Sequence, residues 1–255
     1  MPMIAPVSTL PLPLPSVTPV PGFRHILCAV DGSRESGDGV REAVALATLG
    51  TRITFLAITD VQGVGVNRIA SLGEHRAEQA LAAASALARD HRMSARTELV
   101  HDADIVGAVL GRQHDHDLLV VGARRDATVD HGALAGAATA LAGRTDGPLL
   151  IARRGATLQS SVQRIVVAAR RGEPSAAAVA RLGEQLAATD GSLIHPIQLS
   201  GGEQGRASQI LLLAERISAD VIVVGRDCRT ATGTTGGVNA RLVAVAPCSV
   251  LVVPA

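Results

Sequence analysis

No tryptophan, tyrosine or lysine occurs among the 255 residues, and only two phenylalanines do. So few aromatics leave no stacked platform of the kind that usually holds single-stranded nucleic acid. The formal net charge is +1 and no basic block stands out, so the electrostatic footprint of a DNA or RNA binder is missing too. Every basic side chain is arginine, which excludes Schiff-base chemistry on lysine and the lysine of a Walker phosphate loop. Cys28, Cys228 and Cys248 are too far apart for a zinc-type spacing or a disulfide framework, and a reducing cytoplasmic setting is expected. No aliphatic run is long enough to cross a bilayer, so no membrane partner is expected.

What the chain does have is a repeat. Asp117-Leu118-Leu119-Val120-Val121-Gly122 recurs as Asp220-Val221-Ile222-Val223-Val224-Gly225. After a Gly/Ala/Thr-rich stretch, each copy is followed by a second short aliphatic run, led by Pro148 in one and Pro247 in the other. Four aliphatics ending at a glycine read as a strand buried on both faces, as in a parallel sheet covered by helices. Ligands of open parallel sheets sit beyond the carboxyl ends of such strands. The repeat therefore predicts two related domains and two places to look for a site.

Residues 1–22 carry seven prolines and no charge, which predicts an extended, disordered tail rather than a signal peptide. Residues 23–155 form the first expected domain. Its strands are predicted at 25–30, 53–59, 95–101, 118–121 and 149–153. Its helices are predicted at 34–49 (ended by Gly50), 66–91, from a cap at Asp102 or Asp104 through Gln113, and 133–143. Residues 162–255 form the second, with strands at 163–168, 192–198, 221–224 and 248–253 and helices at 174–188, 205–217 and 238–245. Between its first strand and its repeated aspartate the second copy is 36 residues shorter than the first, about one helix plus one strand. The expected class is α/β: two tandem open parallel sheets flanked by helices, the second lacking the long helix and a neighbouring strand.

Three segments resemble the universal stress protein family: Ile26-Leu27-Cys28-Ala29-Val30-Asp31-Gly32-Ser33, the run from Asp117 to Gly122, and the closing Ala246-Pro247-Cys248-Ser249-Val250-Leu251-Val252-Val253. The resemblance implies a Rossmann-like sheet of strand order 3-2-1-4-5 and, in nucleotide-binding members, an ATP site. There an aspartate after the first strand holds the ribose side. A loop Gly-x-x-Gly-x9-Gly-Ser/Thr after the fourth strand closes its amides on the phosphates. Mapped onto this chain, the first copy has Asp31, Ile58 (whose backbone would meet the adenine), Gly122 and Gly136. Arg125 takes the place of the second glycine, and the Gly-Ser/Thr pair falls on Ala135-Gly136. The second copy has Gly225, Gly236 and Gly237, but Ala169 replaces the aspartate and Cys228 the second glycine.

Arg124, Arg125 and Arg226 lie just past the fourth strands, where bidentate contacts to an anion would replace lost backbone ones. A solvated loop is the competing reading of all three, as a helix cap is for Asp31. Cys228 is either an activated thiol beside an arginine or an inert small residue. The run His114-Asp115-His116-Asp117 reads better as a solvated turn than as a metal site, and no metal is expected.

The aliphatic runs 149–153 and 248–253 are sheet edges by the family's topology, and such edges cannot stay bare. They are expected to pair, either within the chain as a pseudo-dimer or between chains as a homodimer. No acidic pair or Ser/His/Asp spacing suits catalysis, so an enzyme is not expected. Two functions remain: a stress-response module binding ATP, another adenine nucleotide or another anion in the first domain without catalysis, and a ligand-free scaffold acting through its paired surface.

Overall fold

A computed structural model describes residues 22–59, 67–123, 133–153, 162–170, 172–200, 202–226 and 237–254. The proline-rich segment, Arg124, Arg125, Cys228 and Gly236 lie outside these residues. The chain alternates strand and helix as its hydrophobic periods require. The first half runs β1 (His25–Val30), α1 (Arg34–Leu46), β2 (Arg52–Thr59), α2 (Asn67–Asp90), β3 (Ser94–His101), α3 (Ile105–Leu110), β4 (Leu118–Gly122), α4 (Ala133–Arg144) and β5 (Leu149–Ala152). The second runs β6 (Arg164–Ala169), α5 (Ala176–Asp190), β7 (Leu193–Gln198), α6 (Glu203–Ile217), β8 (Val221–Gly225), α7 (Val238–Val245) and β9 (Ser249–Val253). Among the described residues nothing in the second half stands where α2 and β3 stand in the first, in keeping with its 36-residue deficit.

The expected pair of sheets is one sheet. Nine strands follow the order β3-β2-β1-β4-β5-β9-β8-β6-β7. Every neighbouring pair is parallel except β5–β9, which is antiparallel through Leu149↔Val252, Leu150↔Leu251 and Ile151↔Val250. The first half keeps the order 3-2-1-4-5, and its last strand meets the last strand of the second within the chain.

Helices cover both faces. On one, Val109 of α3, Leu141 of α4, Leu242 of α7 and Ile210 of α6 share a core with strand residues from both halves. On the other, Val40 and Val44 of α1, Leu81 and Ala84 of α2, and Val179 and Leu186 of α5 do the same. Neither core stops at the junction. Their side chains are mostly small and aliphatic, as the near-absence of aromatics demands, and the two phenylalanines, Phe23 and Phe55, are both buried in the second of them.

Two helix ends differ from the expected ones by three residues. Helix α1 stops at Leu46, with Ala47 in extended backbone, and Gly50 lies in the next turn at φ +94°. Thr51 sets that turn: its hydroxyl accepts the Thr48 amide at 2.9 Å and donates to the Phe23 carbonyl at 2.6 Å. Helix α3 is capped by Asp104, which accepts the Gly107 amide at 2.9 Å, but it ends at Leu110 and a separate 3-10 turn spans Gln113–Asp115.

The repeated aspartates have a structural task. Asp117 accepts the amides of Arg24 (2.7 Å) and His25 (3.0 Å) at the start of β1. Asp220 accepts those of Gln163 (2.6 Å) and Arg164 (3.0 Å) at the start of β6. Each carboxylate thus satisfies two strand-start donors on the neighbouring strand and fixes the register of β1–β4 or β6–β8. Asp117→Ala and Asp220→Ala should each lower stability by about 1–2 kcal/mol in denaturant titrations, since hydrogen bonds to a charged acceptor are lost. Asp→Ala changes with no effect at both positions would show that the clips do not hold the strand starts.

Candidate functional site

The carboxyl ends of β2, β1 and β4 lie side by side and open on one mouth. Three expected site residues meet there: Asp31 just past β1, Ile58 near the end of β2 and Gly122 at the end of β4. Asp31 is not the helix cap. Ser33 is, its hydroxyl accepting the Ser36 amide at 3.0 Å. The Asp31 carboxylate instead folds the turn before the helix, with Oδ1 accepting the Ser33 amide at 2.9 Å across Gly32 at φ +73°. Its Oδ2 is left over for a further donor among the described residues.

Gly122 is a glycine because α1 crosses directly over it. A Cβ there would lie 1.8 Å from the Glu35 carbonyl oxygen and 2.7 Å from the Ser36 amide nitrogen. The same holds in milder form at the second mouth, where a Cβ on Gly225 would meet Ser175 Oγ at 2.1 Å and its Cβ at 2.9 Å. Both strand-end glycines are thus spent on helix-over-strand packing, whatever else they do. Gly136 sits in the first turn of α4, and Gly237 is the N-cap of α7.

Four residues that the sequence did not single out also reach the first mouth. Thr59 and His101 are partners in the β2–β3 register, and the Thr59 hydroxyl lies 2.7 Å from His101 Nδ1. His101 Nε2 is 3.9 Å from Glu74 of α2. The Arg76 side chain lies against Gly32, its Cγ and Nε 3.3 Å from where a Cβ would stand. They come from the end of β2, from β3 and from α2, which only the tertiary register brings together beside β1, so no local spacing marks them.

The second mouth is built differently. Ala169 offers no carboxylate, and Arg206, in the first turn of α6, reaches Glu173 Oε1 at 3.7 Å, an oxygen it shares with Arg170 at 3.8 Å. Arg206 Nε is buried and has no hydrogen-bond partner among the described residues. Arg226, expected to face an anion, turns the other way: its guanidinium donates to the Thr145 carbonyl at the end of α4 and lies 3.6 Å from Asp146. A cation at a helix C-terminus is favourably placed, and these contacts tie the two halves together.

The remaining candidates resolve simply. His114 and Asp115 are exposed, the His116 ring bonds the Arg112 carbonyl (2.7 Å) and the Thr54 hydroxyl (3.0 Å), and Asp117 is the strand clip already described. Among the described residues no cluster of three or more metal-ligating side chains exists. Cys28 and Cys248 are buried thiols, and burial pushes the Cys28 pKa far up, away from nucleophilic chemistry. No described helix is long and apolar enough to cross a membrane.

The two glycines make unequal demands. Gly122→Ala drives a methyl into backbone and should cost about 3 kcal/mol or prevent folding. Gly225→Ala meets mainly the Ser175 side chain and should be rescued in good part by Ser175→Ala. Thermal melts of the three variants check this, and equal, unrescued losses would contradict it.

The family model for universal stress proteins matches residues 22–153, just over half of the chain. Among solved structures, a universal stress protein from Archaeoglobus fulgidus superposes with a TM-score of 0.72 at 15% identity, covering 90% of this chain and 96% of its own. A protein of unknown function from Pseudomonas aeruginosa does so with a TM-score of 0.63 at 13% identity, covering 91% and 92%. At these identities the likeness is one of fold. None of the curated proteins matches the chain. With the family model spanning the half that carries Asp31 and Gly122, and the whole sheet superposing on a known member, the chain belongs to the universal stress protein family.

Proposed function

We propose that this is a tandem stress-response protein whose first domain, 23–155, binds an adenine nucleotide, ATP being the reference ligand, without turning it over. The second domain, 162–255, is a truncated copy that serves as a built-in partner. The carrying observation is the side-by-side placement of Asp31 and Gly122 at the ends of β1 and β4, with one Asp31 oxygen left over. That oxygen would accept a ribose hydroxyl. Ile58 lies near the end of the neighbouring strand, where its backbone would edge an adenine, and in the sequence Arg124, Arg125 and Gly136 follow β4, the segment that would meet the phosphates. Among the described residues the acid–base groups at this mouth are His101 and Glu74, on β3 and α2, and the bound nucleotide is read as a signal rather than a substrate.

One observation favours a second reading, a ligand-free scaffold. Gly122, Gly225 and Arg226 are all engaged in protein–protein packing or hydrogen bonds within the chain. The second mouth, with Ala169 in the aspartate position and an ion pair at its opening, fits this reading better than the first.

Isothermal titration with ATP and with Mg-ATP separates the two. The nucleotide reading expects one equivalent per chain, and an affinity reduced about tenfold in Asp31→Asn, which keeps the turn but loses a charged acceptor. No heat at high protein concentration leaves the scaffold reading in place.

A further inference from the structure

The β5–β9 rung pattern has a local two-fold. Ile151 and Val250 are each the third residue after their proline, and they pair with each other. Around that rung the two edges are chemically unequal. Leu150 is the equivalent of Ser249, and Val252 is the equivalent of Arg153. One side of the rung is therefore aliphatic and the other polar.

The polar side is a closed chain of bonds that needs both halves. The backbone amide of Arg153, just past β5, donates to the Ser249 hydroxyl at 3.0 Å. That hydroxyl donates to the carboxylate of Glu42 on α1. Arg153 then reaches across to the carbonyl of Ala246, the C-cap of α7, at 3.0 Å. Ser249 is 0% and Glu42 7% exposed. A buried carboxylate is costly unless it is hydrogen-bonded, and a hydroxyl from the other half serves it.

The alternatives fail on the same atoms. Pairing β5 with β5 of a second copy places a leucine where Ser249 stands, so Glu42 loses a donor and the Arg153 amide an acceptor. Pairing β9 with a second β9 sets Ser249 against Leu251, away from both first-half partners. A three-rung ladder of Leu, Ile and Val discriminates poorly between partners and registers by its own side chains. Buried polar groups that lose one of their partners supply the discrimination.

We infer that Glu42, Ser249 and the Arg153 amide form a partner-selecting lock, which makes the β5 edge specific for a β9 edge, here supplied by its own chain, and closes it to the β5 edge of a second copy. The lock rests on the observed junction and is independent of nucleotide binding.

The full chain tests it, refolded from denaturant at low and at high concentration, with mass read by light scattering. Wild type should return as monomer. The Glu42→Leu/Ser249→Leu double variant, apolar at both places, should give a dimer fraction about tenfold or more above wild type, rising with concentration. Ser249→Thr, which keeps the hydroxyl, should stay monomeric. A double variant as monomeric as wild type, or a Ser249→Thr variant that dimerises equally, overturns the lock. Co-refolding of donor- and acceptor-labelled wild-type chains needs no variant to fold: no energy transfer is expected, and transfer overturns the inference.

Discussion

Three antiparallel rungs hold this molecule together. Leu149↔Val252, Leu150↔Leu251 and Ile151↔Val250 turn two parallel sheets into one, and every layer outside them follows from that join. Because β5 and β9 become central rather than edge strands, their side chains on both faces must be covered. Helices α4 and α7 accordingly pack against each other across the junction on one face, and on the other α1 lies over β4 and β5. The aliphatic runs that would be aggregation-prone as bare edges are consumed within the chain. The edges left outermost are β3, with Arg96 and Glu98 along it, and β7, interrupted by Pro196. Charges and proline are ordinary means of discouraging further strand addition.

Polar groups then refine what the aliphatic rungs begin. Arg226 from the second half seeks the end of α4 and Arg153 from the first half seeks the end of α7, so each half supplies a cation to a helix C-terminus of the other. Ser249 and Glu42 add a buried bond between the halves. The two mouths lie in the two halves on either side of this join. The first has an acidic residue with one carboxylate oxygen unpaired among the described residues, and the second has an internal ion pair.

Much of the architecture could be read from the chain itself. Buried parallel strands carry no alternation, so the repeated Val-Val-Gly runs stand out, and a missing βα unit leaves a countable deficit. Helix ends were harder to place: Thr51 sets the turn after α1, a role no local pattern around Gly50 conveys. Among the candidate site residues, Asp31 and Gly122 are visible at strand ends and Ile58 through the family resemblance, whereas Thr59, His101, Glu74 and Arg76 depend on the β2–β3 register and on where α2 lies. Arg226 was misleading for a related reason. Its position after β8 suits an anion, yet its partner, the Thr145 carbonyl, is 81 residues away and exists only once the two halves have met. Glu42 reads as an ordinary helix-surface acid until β9 arrives beside it.

Native-state hydrogen exchange measures the central claim most directly. If the β5–β9 join makes one cooperative body, amides of β1 and β4 in the first half and of β8 and β9 in the second should exchange only through global unfolding, with the same opening free energy. Protection in β8 and β9 that is lost at a distinctly lower free energy than in β1 and β4 would mean that the halves open separately, and would contradict the account.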